Sequence, residues 1–293
     1  MATPAQWIEG ARLRTLPMAV APVVAGSAAA QALHSFDLVR AVLALLVALF
    51  LQIGVNYAND YSDGIKGTDD VRVGPLRLTG SGAAAPGQVK AAALLCFGLG
   101  ALAGAALVVL SRQWWFIPVG LSAVLAAWGY TGGRTPYGYR GLGDVFVFVY
   151  FGLVAVLGTT LTQAGALNPE AWVAALSTGL IATALLMANN IRDLPGDREV
   201  GKRTLAVRLG DPPARVVFTA EIAVALALVL FLVPGNPWML LVLLLVPVAL
   251  PPVATVLRVQ DRRQLIPVLK QVGVLNVGWA VLFSLAVLLQ QWL

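Results

Sequence analysis

The segment from Asn189 to Thr204, NNIRDLPGDREVGKRT, sets two asparagines, three acids and four bases directly after about twenty almost wholly apolar residues. An earlier segment, NYANDYSDGIKGTDD from Asn56 to Asp70, does much the same after another apolar run. Asp60, Asp63, Asp69 and Asp70 lie in the earlier one, and Asp193, Asp197 and Glu199 in the later, so these two short stretches hold seven of the 14 acids. Asn56 and Asp60 are four apart and Asp63 is three further on, a spacing that turns all three the same way on a helix. Asn189, Asp193 and Asp197 repeat the spacing of four, with Pro195 marking a helix about to end.

Carboxylates crowded beside apolar sequence repel one another and take up protons unless something compensates them. A divalent cation does so. Magnesium prefers hard oxygen ligands and is commonly held by one or two carboxylates plus the phosphates of a substrate. Lys66, Arg72, Arg77, Lys202 and Arg203 lie nearby and suit the remaining phosphate charge. A single such stretch reads equally well as a solvated helix end. Two matched stretches read as a pair of metal clamps for a diphosphate, facing a hydrophobic cavity for a long apolar tail.

The elements that carry these residues must be membrane helices. The chain has 293 residues, 59% hydrophobic and 12% charged, with a mean hydropathy of +0.81; a soluble domain carries about 25% charged residues. Runs of Ala, Leu and Val without strand alternation exclude a barrel and leave an all-α integral membrane bundle. Apolar windows fall at about 16–35, 38–58, 90–111, 114–131, 144–163, 171–191, 214–233, 237–257 and 270–290, each close to the ~20 residues a span needs. The expectation is nine transmembrane helices in a single domain, 1–293. Pro247, Pro251 and Pro252 predict a kinked or short second half for the eighth. The acidic segments end the second and sixth helices, which points to an internal duplication. With nine spans, 18 of the 20 Lys and Arg fall on the side of the N-terminus, and only Arg40 and Arg112 on the other. The positive-inside rule then places the N-terminus in the cytoplasm, the C-terminus opposite, and the acidic segments near the cytoplasmic face of a multi-pass cell-membrane protein.

Other chemistries are excluded. Cys96 is the single cysteine and His34 the single histidine, so no intrachain disulfide, cysteine metal site, histidine cluster or Ser-His-Asp triad exists. The net charge of +6 sits in short membrane-flanking loops, a matter of topology and not of nucleic-acid binding. The N-terminus lacks the pattern of a cleaved signal peptide.

The pattern resembles the intramembrane aromatic prenyltransferases, the UbiA-type family, over essentially the whole chain. That family has nine helices, a first acidic motif of Asn-Asp-x-x-Asp-x-x-x-Asp type, here NDYSDGIKGTD, and a second of Asp-x-x-x-Asp type, here DLPGD. The resemblance implies Mg²⁺ and a prenyl diphosphate held at Asn56, Asp60, Asp63, Asn189, Asp193 and Asp197, with the four aspartates as the catalytic set. Gly67 stands where the motif expects its last acid, and Asp69 is the nearest substitute. Tyr130 and Arg134 stand where the family has Tyr-x-x-x-Lys, a replacement that keeps the charge and changes its geometry. The diphosphate-binding set is then Lys66, Arg72, Arg77, Arg134, Lys202 and Arg203.

The stretches ARLRTLPMAVAPVVAG, NDYSDGIKGTDDVRVGPLRL, YTGGRTPYGYRGLGD and KRTLAVRLG further resemble the branch that prenylates 1,4-dihydroxy-2-naphthoate in menaquinone biosynthesis. In that branch the carboxylated ring carbon is alkylated and CO₂ is lost, giving demethylmenaquinone. The resemblance implies pyrophosphate departure, a dry site for the allylic cation, and aromatic faces such as Tyr57, Tyr61 or Trp128 to shelter it. Arg14, or an arginine of the 134–140 loop, would hold the naphthoate carboxylate. Asp144 would orient a ring hydroxyl, with Tyr130, Tyr137 and Tyr139 completing the aromatic site. The glycine-rich 130–143 segment would be a flexible lid. Three other readings stay open: a prenyltransferase for 4-hydroxybenzoate, homogentisate, haem or chlorophyllide; a secondary transporter, whose broken helices and intramembrane acids are similar; and a non-catalytic assembly protein, which would tolerate Asp193→Asn.

Overall fold

The computed structural model describes residues 2–67 and 76–292, and every regular element among them is helical. In chain order these are α1 (Pro4–Gly10), α2 (Pro17–Ala32), α3 (Leu38–Ile65), α4 (Pro86–Ser111), α5 (Phe116–Gly129), α6 (Gly143–Ala164), α7 (Pro169–Glu199), α8 (Leu205–Leu209), α9 (Asp211–Leu232), α10 (Pro237–Arg258) and α11 (Arg262–Gln291). Seven of them, α3, α4, α6, α7, α9, α10 and α11, are long and apolar enough to cross a membrane. An eighth span arises if α1 and α2, bent by 50°, count as one, and α5 is a shorter apolar helix of 14 residues. Each of the nine apolar windows lies on one of these helices.

The centre of the bundle is α7: 72% of its apolar window is buried, against 22% for α3. Its run AWVAALSTGLIATALLMA is rich in Ala, Ser, Thr and Gly, which let backbones approach where lipid gives no hydrophobic drive. The closest approach is to α6. A Cβ on Gly152 would lie 2.6 Å from the Ala175 carbonyl oxygen and one on Gly179 3.1 Å from the Gly152 Cα. Glycine on both sides is what the crossing permits, and α6 widens into a π-turn, Phe148–Val154, around it. α2 packs on α3, α6, α7 and α11 and so stands between the two acidic helices.

The break between α1 and α2 places Arg12 in the left-handed region (φ 54°), and both Arg12 and the more exposed Arg14 border the internal cavity. At the opposite end of the bundle Arg40 donates to the carbonyls of Leu110 (3.0 Å), Thr162 (3.0 Å) and Gln163 (3.2 Å). It thereby caps the C-termini of α4 and α6 with positive charge. In α10 the irregular half is the first, not the second: Pro237–Leu245 is a 3-10 turn and Val246–Arg258 is α-helical. Pro247 sits in the first turn of that α-helix, where a missing N–H costs nothing.

Candidate active site

A cavity of about 1080 Å³ lies between α2, α3, α4, α5, α6 and α7. It has a polar head, where the two acidic helices end, and an apolar body running between α3, α4, α5 and α6. Asp63, Asp193 and Asp197 line the head together with Arg12, Arg14, Arg77, Arg192 and Lys202. Five bases against three acids leave a formal surplus of two positive charges, a field that draws anions.

Each acid is held by a neighbour. The Tyr139 hydroxyl donates to Asp63 Oδ1 (2.8 Å), and the Arg77 guanidinium stands 3.9 Å from its Oδ2. Arg192 donates Nε and a terminal nitrogen to the two oxygens of Asp193, both at 2.7 Å. This is the two-pronged geometry that also fits phosphate. Lys202 Nζ lies 3.8 Å from Asp197 Oδ1. The Tyr139 ring is flanked by both lysines, Lys66 Nζ at 5.2 Å and Lys202 Nζ at 4.7 Å from its centroid. Asn56, Asn59, Asn189 and Asn190 line the same head. The Asn56 amide donates to the Ala11 carbonyl (2.9 Å) and the Thr15 hydroxyl (3.1 Å), fastening α3 to the α1–α2 break.

Below the head the wall becomes aromatic. Tyr130 meets Tyr137 edge-on at 5.5 Å, Tyr137 stacks on Phe146 at 4.0 Å, and Phe146 leads to Tyr150 at 6.1 Å. Burial pushes the Tyr130 and Tyr137 hydroxyls well above the ordinary phenol range, and for Tyr130 the nearby Asp144, Tyr137, Asp63 and Asp197 add to it. Both stay protonated donors. Tyr57, Tyr61 and Trp128, expected as cation shelters, lie outside the cavity: Tyr57 packs on Trp7 and Tyr61 on Trp128.

Several other expected residues are placed elsewhere. Both oxygens of Asp60 are taken by backbone amides, Oδ2 by Leu78 and Oδ1 by Thr79, each at 2.8 Å. The cavity face of α3 runs through Gln52, Asn56, Asn59 and Asp63, and Asp60 lies just beyond its edge, where it anchors the 76–80 turn. Lys66 donates to the carbonyls of Thr131 (2.6 Å) and Gly133 (3.3 Å). Burial pulls its ammonium below the usual lysine range; Asp63 opposes that shift and Lys202 adds to it. Arg134, Arg140 and Arg203 are exposed and off the cavity, whereas Arg14 lines it. Asp144 is 6% exposed and also off the cavity, behind Gly143, where a Cβ would lie 3.5 Å from the Tyr130 hydroxyl. Arg72, Asp69 and Asp70 lie outside the described residues.

The 130–143 segment does cover the head, through Tyr137, Gly138 and Tyr139. It is fastened and not loose: Gly138 N–H donates to the Tyr130 carbonyl (3.0 Å) and Arg203 N–H to the Tyr139 carbonyl (2.9 Å). Gly141, at φ 74°, makes the turn, and a Cβ there would meet Arg208 at 2.7 Å. Arg12, Arg192, Asn59 and Asn190 are the cavity residues the sequence reading passed over. Arg192 had a signal, being adjacent to Asp193 on an apolar helix where a lone arginine needs a partner.

Among the described residues no three acids form a ready-made metal cage. The donor set is nevertheless that of a magnesium ion arriving with a diphosphate. Hard carboxylate and amide oxygens converge on one head, and the surplus positive charge favours the anionic complex over a bare cation.

A membrane-embedded helical bundle whose cavity joins a cationic, carboxylate-bearing head to an aromatic and aliphatic body defines a protein that handles an amphiphile with a phosphorylated end. Residues 19–289 match the UbiA prenyltransferase family, and the chain belongs to that family. It is 50% identical over 280 residues to the 1,4-dihydroxy-2-naphthoate octaprenyltransferase of Mycobacterium tuberculosis, covering 96% of both chains. It is 38% identical to the Escherichia coli protein of the same name, covering 98% of this chain and 96% of that one. The fold matches that of a UbiA homolog from Aeropyrum pernix K1 (TM-score 0.70, 16% identity, 93% of this chain and 98% of that one). It also matches a UbiA homolog from Archaeoglobus fulgidus bound to GPP and Mg²⁺ (TM-score 0.64, 14% identity, 96% and 99%).

Proposed function

We propose that this protein transfers a polyprenyl group from a polyprenyl diphosphate to 1,4-dihydroxy-2-naphthoate, with loss of pyrophosphate and CO₂, giving demethylmenaquinone in its quinol form. The observation that carries the reading is the two-part cavity, with a cationic, carboxylate-bearing head opening directly into an apolar body. The likeness to two naphthoate octaprenyltransferases along nearly the whole chain supports the choice of acceptor.

Asp63, Asp193 and Asp197, with Asn59, Asn189 and Asn190, are the residues that would hold Mg²⁺ beside the diphosphate. Asp60 lies just beyond the cavity edge with one amide on each oxygen, which leaves a lone pair on each, and it would join them if the end of α3 turned it toward the head. When bound, the ion neutralises the charge that builds on the departing pyrophosphate. The bases of the head do the same work: Arg77, Arg192 and Lys202, each beside a carboxylate, turn to the phosphate oxygens as the carboxylates turn to the ion. The allylic cation left behind lies at the top of the Tyr130–Tyr137–Phe146 wall, whose ring faces stabilise it and whose enclosure keeps water away. Arg14 and Arg12 are placed at the head to receive the acceptor's carboxylate until it leaves as CO₂. The Tyr130 and Tyr137 hydroxyls are the protonated donors available to its ring oxygens. The prenyl tail occupies the body between α3, α4, α5 and α6.

The topology belongs to the same proposal. α1–α2 as one bent span, α5 as a short one and the seven long helices make nine, with the N-terminus and the cavity head toward the cytoplasm and the C-terminus opposite. The test of the reaction is product analysis in purified protein supplied with Mg²⁺, a polyprenyl diphosphate and a choice of aromatic acids. Product from 4-hydroxybenzoate and none from the naphthoate would keep the family chemistry and replace the acceptor.

A further inference from the structure

Pro195 stands in α7 between the two acids of the second segment, Asp193 and Asp197. Proline carries no N–H, so the carbonyl of Ile191, four residues back, loses its helical donor. Ile191 is fully buried and is not a cavity residue; it faces the packing side of the helix. A buried carbonyl without a donor must be satisfied from elsewhere.

Arg262, at the start of α11, supplies that donor. One terminal nitrogen of its guanidinium bonds the Ile191 carbonyl and the other bonds Asp211 Oδ2 at the start of α9. Asp211 is itself held by Arg215 Nε, and Arg215 donates onward to the carbonyls of Val256 and Val259, the latter at 2.9 Å. The end of α7 that carries the acids is thus tied to α9 and α11 through the Arg262 guanidinium, and onward to α10 through that of Arg215. The tie lands within the turn that sets the direction of Asp193 and Asp197 relative to the cavity.

We propose that Arg262, oriented by Asp211, is a positioning residue for the second acidic segment: its guanidinium replaces the amide that Pro195 lacks and fixes the turn that presents Asp193 and Asp197 to the diphosphate. The proposal rests on the diphosphate-site reading above and adds the residue behind the site that makes it work. Arg262 touches neither substrate. It acts on the acids through the Ile191 backbone, so its loss is felt by the diphosphate and not by the aromatic acceptor.

The test is a double-mutant comparison in the full chain, in detergent, with two readouts. The first is the thermal stabilisation conferred by Mg²⁺ with inorganic pyrophosphate, which needs no turnover. The second is KM for each substrate. Arg262→Gln is expected to weaken Mg²⁺–pyrophosphate stabilisation and raise KM for the prenyl diphosphate, each by about tenfold, the scale of one hydrogen bond from a charged donor. KM for the naphthoate is expected to stay within about twofold. Arg262→Lys, which keeps a charged donor, restores part of the loss. Pro195→Ala returns an N–H to the helix, so in that background Arg262→Gln should change either readout by less than about threefold. Equal losses in both backgrounds, parallel losses on both substrates, or no loss at all would overturn the proposal. If Arg262→Gln does not fold, Asp211→Asn, which loosens the guanidinium without removing it, gives the same comparison. A wild-type protein that Mg²⁺–pyrophosphate does not stabilise contradicts the diphosphate site itself. A wild-type protein that is stabilised but shows no coupling between Pro195 and Arg262 contradicts this inference alone.

Discussion

The Tyr139 hydroxyl donates to Asp63 Oδ1 at 2.8 Å while the Tyr139 ring sits between the ammonium groups of Lys66 and Lys202. One side chain thus links the first acidic segment, the covering loop and the second acidic segment. Arg203 completes the link by donating its backbone N–H to the Tyr139 carbonyl. The loop closes the head because its tyrosine is the common partner of groups from both acidic segments.

Tyr139→Phe keeps the ring and its two cation contacts and removes only the bond to Asp63. A hydrogen bond to a charged group contributes about 1.5–3 kcal/mol, so kcat/KM should fall by roughly ten- to a hundredfold. Melting in detergent should move by only a few degrees, because the packing is kept. Steady-state kinetics beside a thermal melt check this; an unchanged kcat/KM would remove Tyr139 from the site.

Arg192→Met deletes the two-pronged partner of Asp193 and leaves the buried stem in place. Asp193 then loses its two-pronged partner in a partly buried site, where its side chain is 13% exposed. The diphosphate also loses a base. The expected result is a rise of about tenfold or more in KM for the prenyl diphosphate, with naphthoate KM little changed. A selective rise in naphthoate KM would instead assign Arg192 to the acceptor.

Gly104 lines the apolar body and has room for a side chain, the nearest atom to a Cβ there being Val47 Cγ2 at 3.6 Å. It lies far along α4 from the end of the helix nearest the head. Gly104→Trp should therefore leave turnover of a ten-carbon donor within about twofold and reduce that of a forty-carbon donor by an order of magnitude or more, since the longer tail needs the filled space. Competition between the two donors, read by mass spectrometry, checks it. Equal effects on both would place the tail elsewhere.

The spans were legible because a lipid-facing helix needs no partner to declare itself: the windows at 38–58 and 90–111 are apolar over most of their length. The composition of the head was legible too, since charge next to lipid is too costly to be incidental. What the sequence could not show was direction. Asn56, Asp60 and Asp63 share a helical face by spacing, yet a rotation of that face by part of a turn gives Asp60 to the Leu78 and Thr79 amides and brings Asn59 to the cavity. Arg12 and Arg262 read as topology charges because their partners, the cavity and the Ile191 carbonyl, are distant in the chain. Tyr57, Tyr61 and Trp128 are as aromatic as Tyr137 and Phe146; packing alone decides which set faces the tail.

On the proposed function, the two acidic segments, facing each other across one cationic head, carry out prenyl transfer to a naphthoate. The most direct test supplies purified protein in detergent with Mg²⁺, a polyprenyl diphosphate and 1,4-dihydroxy-2-naphthoate and follows products by mass spectrometry, beside Asp193→Asn. The prenylated, decarboxylated quinol is expected from the wild type, dependent on Mg²⁺, with a loss of at least about a hundredfold in the variant. Folded protein that forms no prenylated product with any aromatic acceptor, or an Asp193→Asn variant as active as the wild type, would contradict it.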